Sequence, residues 1–161
     1  MSRLNEHKFC LNNEEALQFI ELLKSYDKDL YWNKGRNIHW RTINFVPNDR
    51  DELAGPVPGA TVQVDYKFSK RVKESGKLVL TLFKRKQHEK LRAYQLELSD
   101  ENKISSHDGN TIIKGSHEHI GKQVRKIIPD TEIENIAHWF ALFCDKIRLE
   151  FTGSKLNLPE E

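Results

Sequence analysis

A histidine-rich stretch at residues 107–121 carries the side chains best suited to acid–base chemistry. Its sequence is HDGNTIIKGSHEHIG, and it contains His107, His117 and His119. If His117 and His119 lie on one strand, the alternation of side chains projects both imidazoles from the same face. An imidazole has an ordinary pKa of about 6.5, so one ring can serve as general base and the other as general acid at neutral pH.

The residues before this pair could complete such a site. Asp108-Gly109 is typical of a tight turn, which would return His107 or Asp108 towards the two histidines. Lys114 or Arg125 would offset negative charge that develops on a phosphorus atom. The predicted catalytic residues are His117, His119, His107, Asp108 and Lys114.

Two other interpretations of the His-x-His pair stay open. A transition metal binds imidazole nitrogen with an acidic residue as a further ligand, although no cysteine or obvious carboxylate completes the set here. The same residues are also typical of the solvent-facing side of an edge strand. The acid–base hypothesis requires neither a metal nor another cofactor.

A second candidate site is the basic segment at residues 67–92. It contains ten lysines and arginines against two glutamates, so it carries a charge of +8 and the rest of the chain carries −6. Basic and aromatic residues interleaved on a sheet can bind phosphates and stack on bases, whereas lysines at a hairpin end can also simply protect an exposed edge. The predicted nucleic-acid contacts are Lys70, Arg71, Lys73, Lys84, Arg85 and Lys86.

A tryptophan-containing stretch at residues 31–41 is a third candidate. It combines aromatic and basic side chains and could form a recognition surface, but aromatic residues that flank a strand are more typical of a core. The residues concerned are Tyr31, Trp32, Arg36, His39, Trp40 and Arg41.

Helical periodicity near each end of the chain predicts two helices. Asn12 with Glu15 fits a capping box that opens a helix reaching about Tyr26, and Thr131 with Glu134 opens the second. The first apolar stripe comprises Leu17, Ile20 and Leu23 or Lys24. The second comprises Ile133, Ile136, Ala137, Phe140, Cys144 and Ile147.

Alternating apolar and polar residues predict three consecutive strands at 61–68, 77–86 and 91–98, of which the middle one is central. A further short strand is expected at 38–45, a loop at 47–59, and turns at 100–102 and 105–110. The predicted fold class is α+β, with an antiparallel sheet of about four to six strands packed against an N-terminal and a C-terminal helix. We expect one domain at residues 1–153 and a loose tail at 154–161.

The composition bounds the class of protein. The chain has 161 residues and only two cysteines, Cys10 and Cys144, which we expect to be free thiols. It lacks a run of apolar residues that could span a membrane and an apolar signal-peptide core, so a cytoplasmic location is expected. No phosphate-binding loop, dinucleotide-binding glycine pattern or serine-hydrolase elbow is present.

The run from Asp108 to Ile120 resembles the DG…G-x-H-x-H-I signature of small bacterial and prophage proteins, some of which are similar to TumE-type toxins of toxin–antitoxin modules. The chain has Ser116 where relatives often carry a proline, and Gln95-Leu96-Glu97 where they carry Arg-x-Asp. The resemblance, over residues 60–150, implies a toxin-like protein that acts on RNA or translation, with an antitoxin as partner and His117 and His119 as its site residues.

Two hypotheses follow. The first is a toxin-like, RNA-directed protein that acts as a metal-free ribonuclease. In this hypothesis the basic hairpin, formed by residues 68–73 and 83–86, holds the phosphates, and the paired histidines move protons. The alternative is a non-catalytic module, of bacterial or prophage origin, that binds protein or nucleic acid.

Overall fold

The computed structural model describes residues 9–51, 53–69, 76–100, 104–108 and 111–161, and for 104–108, 111 and 112 it describes the backbone alone. Two helices and twelve strands are present in these ranges. The helices are α1 (Asn13–Glu21) and α2 (Ile136–Lys146). The strands are β1 (Lys24–Tyr26), β2 (Asn33–Lys34), β3 (Trp40–Phe45), β4 (Asn48–Asp49), β5 (Ala60–Lys67), β6 (Lys77–Lys86), β7 (Glu89–Leu98), β8 (Ile104–Asp108), β9 (Thr111–Lys114), β10 (His117–Ile120), β11 (Gln123–Lys126) and β12 (Leu149–Phe151).

A seven-stranded antiparallel sheet organises the protein, in the order β11-β10-β7-β6-β5-β3-β2. A smaller sheet has the order β12-β1-β4, in which β1 and β12 run parallel, and β8 pairs with β9. The prediction of an α+β fold with an antiparallel sheet and a helix towards each end is confirmed. The large sheet has seven strands rather than the expected four to six, because short strands extend it at both edges.

The two faces of the large sheet differ in chemistry because β5, β6 and β7 alternate in register. Val64, Leu80 and Leu96 pair across the three strands and are fully buried, on the face that packs against the helices. We call this side the core face. The opposite side, which we call the polar face, carries the alternate residues of β3, β5, β6, β7 and β10. These include Thr42, Asn44, Gln63, Asp65, Thr81, Phe83, Gln95, Glu97, His117 and His119.

A β-bulge keeps this alternation intact along β7. The register shifts between Leu82, which pairs with Tyr94, and Phe83, which pairs with Arg92. Ala93 is therefore the extra residue, and Arg92 stays on the polar face beside Phe83. Without the bulge, the lower half of β7 would present its side chains to the wrong face.

Helix α1 begins where the sequence predicts but ends earlier. The Asn12 side chain accepts a hydrogen bond from the Glu15 backbone N–H at 2.9 Å, as a capping box requires. The helix stops at Glu21 because β1 follows three residues later. The predicted stripe is wrong at Leu17, which is exposed, and of the alternatives Leu23 and Lys24 it is Lys24, on β1, that is buried. The buried side chains of the helix are Ala16, Phe19 and Ile20.

Helix α2 starts at Ile136, five residues after the predicted cap at Thr131. Most of the predicted stripe is buried, although Ala137 is only half-buried. Trp139 and Phe143 are buried as well, and the Phe143 ring lies 5.9 Å from that of Tyr94 on β7. The helix therefore packs along a wider apolar face than the predicted stripe, directly against the sheet.

The structure also describes the backbone of residues 104–108, the C-terminal tail and the two cysteines, for each of which an expectation follows from the sequence. The backbone of Ile104–Asp108 forms strand β8 rather than the turn expected at 105–110, because it pairs with β9. In the C-terminal tail, Leu156 is buried, and the indole N–H of Trp32 donates to the Asn157 carbonyl at 2.8 Å. Cys10 and Cys144 are both buried, and no disulfide bond joins them. In the part of the chain that the structure describes, no helix is long and apolar enough to cross a bilayer.

A buried lysine joins the C-terminal ends of the two helices. Lys24 on β1 is fully buried, and its ammonium donates to the carbonyls of Ile20 at 3.0 Å, Leu22 at 2.7 Å and Ile147 at 2.7 Å. A cation is favourable at a helix C-terminus, where carbonyls lack partners within the helix. Burial lowers the pKa of Lys24 to about 8. One side chain thus satisfies carbonyls from both helix ends, which we call the lysine junction.

We expect Lys24→Met to lower the free energy of unfolding by about 2 kcal/mol or more, because it leaves three carbonyls without their donor. Urea denaturation followed by circular dichroism measures the change. The exposed Lys28 supplies the matched control, since Lys28→Met should have little effect. Equal stability of the two variants would contradict a structural role for the junction.

Candidate functional site on the polar face

Strand β10 places both histidines of the His-x-His pair on the polar face. His117 pairs with Glu97 and His119 with Gln95 on the neighbouring strand β7. The two rings are in edge-to-face contact, with centroids 4.8 Å apart. Their side chains project from one face, as strand alternation predicts, but the exposed fractions are only 1% and 5%. Neither imidazole is a surface residue.

His117 is oriented by groups on both of its ring nitrogens. Its Nδ1 lies 3.1 Å from the Gly115 carbonyl oxygen, which can only accept a hydrogen bond, so Nδ1 carries a proton. Its Nε2 faces the Glu97 carboxylate at 3.5 Å. This second contact is attractive only if a further proton lies on Nε2 or on the carboxyl group. The His117–Glu97 pair is therefore an arrangement that can hold and transfer a proton.

A lysine completes the charge balance around Glu97. Lys77 Nζ lies 3.4 Å from Glu97 Oε1, while Oε2 faces His117 and is buried without a hydrogen bond from any described residue. Glu97 thus sits between two cationic or potentially cationic groups on the polar face. Sequence analysis did not identify Glu97 or Lys77, although pairing of the His-x-His strand with β7 would have placed both near His117.

His119 has a different character from its neighbour. Burial, the Arg92 charge and His117 together lower the pKa of His119 to about 2. Its Nδ1 is buried and has no hydrogen-bond partner among the described residues. An imidazole that resists protonation to this degree is neutral at neutral pH and is a poor general acid. The joint role of His117 and His119 as general base and general acid stays a prediction. Of the two, His117 is the one that faces a carboxylate among the described residues, that of Glu97.

The residue between the two histidines points to the core face. Glu118 is buried, accepts a 2.6 Å hydrogen bond from the Tyr94 hydroxyl and is paired with the Arg125 guanidinium. Burial opposes ionisation, but these hydrogen bonds outweigh it and lower the pKa of Glu118. The network fixes β10 between β7 and β11. Arg125, suggested as a charge-offsetting group, is consequently directed away from the histidines.

The remaining predicted catalytic residues lie on the β8–β9 hairpin. His107 pairs through its backbone with Ile112, and Asp108 with Thr111, but the side chains of His107 and Asp108 lie outside the described residues. Lys114 ends β9 and is exposed. Among the described residues, no group of three or more His, Cys, Asp or Glu side chains is placed to hold a metal ion.

The basic hairpin formed by β6 and β7 divides its cations between two faces. Lys84 and Lys86 lie on the helix side, where Lys84 Nζ is 5.3 Å from the Phe19 ring and Lys86 Nζ is 2.9 Å from a Glu15 carboxylate oxygen of α1. Arg85 pairs directly with Lys90 and shares the polar face with it. The alternation of side chains along β6 would have separated Lys84 and Lys86 from Arg85, but the charge count of the segment does not distinguish them. Lys70, Arg71 and Lys73 lie outside the described residues.

The Lys90 side chain makes two contacts on the polar face. Its Nζ lies 4.4 Å from the centroid of the Phe83 ring and donates to the Gln63 side-chain oxygen at 2.9 Å. Partial burial and the Arg85 charge lower the pKa of Lys90, against the opposing effect of Asp65. Sequence analysis did not single out Lys90 as a contact. Together, Arg85, Lys90 and Phe83 form a cationic and aromatic end of the polar face, which we call the tip cluster.

The fold and site therefore define an α+β protein whose seven-stranded antiparallel sheet has one polar face carrying a buried His–Glu pair and a cationic tip. No family model, curated protein or solved structure matches the chain.

We expect the unfolding free energy to fall as the pH falls below about 6.5. The pKa of His119 is about 2 in the folded protein, below its ordinary value of 6.5, so in this window the unfolded chain binds more protons. The loss should reach about 2 kcal/mol at about pH 5. Urea denaturation at about pH 6.5 and about pH 5 measures this loss. The variant His119→Asn should flatten the pH dependence of the unfolding free energy, whereas His88→Asn, at an exposed histidine, should leave it unchanged. An unchanged pH dependence in His119→Asn would refute the assignment.

Proposed function

We propose that this protein binds single-stranded RNA across the polar face of its large sheet. The observation that carries the proposal is the tip cluster, in which Lys90 lies over the Phe83 ring and the exposed Arg85 pairs with Lys90 on the same sheet face. Lysine and arginine neutralise phosphates, and an aromatic ring offers a stacking surface for a base. Since a flat sheet face suits unstacked bases better than a duplex, single-stranded RNA is the favoured ligand class.

The middle of the polar face supports the same proposal. Asn44 is exposed, and Gln63 and Asp65 are half-buried. Side-chain amides and carboxylates can exchange hydrogen bonds with base edges. The face is thus polar without being uniformly cationic, which favours contact with bases as well as with phosphates.

The toxin-like role that the resemblance implies, a cytoplasmic location and a partner such as an antitoxin stay predictions within this proposal. A toxin that acts on RNA would use an RNA-binding face of this kind. The alternative of a non-catalytic module that binds nucleic acid is equally compatible with the tip cluster. A module that binds only protein would not account for the cations and the aromatic ring of that cluster.

We expect Arg85→Ala and Lys90→Ala, on the polar face, to weaken RNA binding, whereas Lys84→Ala and Lys86→Ala, on the helix side of the same hairpin, should have little effect. Fluorescence anisotropy with a labelled single-stranded RNA, between about 50 and 200 mM salt, measures both affinity and its salt dependence. Each polar-face variant should reduce the salt slope by about one. The four variants remove the same charge from the same hairpin, so equal losses from both sides would reject a face-specific site.

A second candidate function is a metal-free ribonuclease, and the His117–Glu97 contact is the observation that favours it. Proton transfer from a 2′-hydroxyl requires a base within about 3 Å of that oxygen. His117 is almost fully buried, so its burial argues against direct contact with RNA in this conformation. The hypothesis therefore requires His117 to become accessible to RNA, with Glu97 as its carboxylate partner.

Incubation of total RNA with the purified protein, with and without EDTA, tests the ribonuclease. If His117 is the base, cleavage should survive EDTA and fall by at least about a hundredfold in His117→Ala, with a smaller loss in Glu97→Gln. Thermal melts must show that the variants stay folded. Absence of cleavage by the wild-type protein would leave RNA binding without catalysis as its function.

A further inference from the structure

A second aromatic and cationic cluster lies on the polar face at the opposite end from the tip cluster. The guanidinium carbon of Arg36 is 4.0 Å from the centroid of the Trp40 ring, and Lys67 Nζ is 5.9 Å from the same centroid. Trp40 pairs with Lys67 on β5, and Lys67 pairs with Lys77 on β6. These residues therefore form one row across three adjacent strands, which we call the indole cluster.

The turn between β2 and β3 holds this cluster in place. The Gly35 N–H donates to the Trp40 carbonyl at 3.1 Å, and the Trp40 N–H donates to the Asn37 carbonyl at 3.1 Å. A Cβ atom at Gly35 would lie 2.7 Å from the Trp40 Cβ, so only glycine fits against the tryptophan at this point. The guanidinium is thus supported by a closely packed turn.

Arg36 has one face occupied and the rest of its side chain exposed. The indole is 8% exposed and lies beneath the guanidinium, while Arg36 is exposed. Among the described residues, no carboxylate forms an ion pair with Arg36. A planar cation oriented in this way presents its outer surface to the solvent, and bases in RNA complexes stack on such guanidinium planes.

The spacing of the two clusters fits one extended strand of nucleic acid. The indole cluster shares its row with Lys77, and the tip cluster shares its row with Arg85, eight residues further along β6. At about 3.3 Å per residue, the two rows are separated by roughly 26 Å. Between the two clusters, β3 and β5 carry polar-face side chains that are half-buried or exposed, namely Thr42, Asn44, Gln63 and Asp65, whereas Val79 and Thr81 of β6 are buried.

We propose that the Arg36 guanidinium, held on the Trp40 indole, is the stacking platform for one base of the bound RNA strand, with Lys67 beside it for the adjacent phosphate. The inference rests on the proposed RNA-binding function and adds the place and mode of base contact. It requires planarity as well as charge, because a lysine ammonium in the same position offers no flat surface.

Arg36→Lys tests this requirement because it keeps the charge and removes the plane. Fluorescence anisotropy with a labelled octa-adenylate RNA measures stacking and charge together, and competition by linear polyphosphate measures charge alone. The variant should bind the octa-adenylate about tenfold more weakly and retain its affinity for polyphosphate. Trp40→Phe, which leaves a smaller support for the guanidinium, should show an intermediate loss. Arg148→Lys is the matched control, because Arg148 is exposed and lies 3.4 Å from Glu21, away from the polar face.

The outcomes separate the two proposals. Failure of the wild-type protein to bind octa-adenylate would overturn RNA binding and the stacking platform together. Wild-type binding that Arg36→Lys leaves unchanged would overturn the platform alone. Equal weakening of octa-adenylate and polyphosphate would also overturn it, because the loss would then concern charge rather than stacking. Thermal melts of each variant show whether the fold is retained.

Discussion

The register of β5, β6 and β7 is the constraint on which the rest of the protein depends. These strands alternate between the core face and the polar face, and the bulge at Ala93 preserves that alternation after Leu82. A shift of one residue would place Leu80 on the polar face and Thr81 against the helices. The positions of the helices, the histidine strand and both aromatic clusters all follow from this single register, because each is defined by the face that it meets.

Two kinds of chemistry share the polar face. Near β10 it is closed, where His117 and Glu97 are buried side by side and the half-buried Lys77 forms an ion pair with Glu97. Towards β3 and the hairpin tip it is more open and combines cations with aromatic rings. The buried group is suited to fixing or transferring a proton, and the open part to contact with an extended polyanion. A ribonuclease would need both parts, whereas a binding protein needs only the second.

Sequence periodicity predicted the central strands well, because period-2 alternation reports directly which side chains are buried. Asn12 was also predictable, since a capping box is a local interaction. The Tyr94–Glu118–Arg125 network was not, because it joins three strands and has no local signal. Periodicity allowed Lys24 on the buried stripe, but its hydrogen bonds were equally hidden, since the three carbonyls that it meets belong to two helix ends separated by most of the chain.

The lysine junction has a chemical consequence of its own. Acylating reagents attack neutral amines, and a lysine with a pKa of about 8 is neutral far more often near physiological pH than an ordinary lysine. Its full burial nevertheless shields it from any reagent in the folded protein. Acylation of Lys24 would therefore proceed only through molecules in which the two helix ends have separated from β1. Its labelling rate would report how often that region opens, and the modification would trap the opened form.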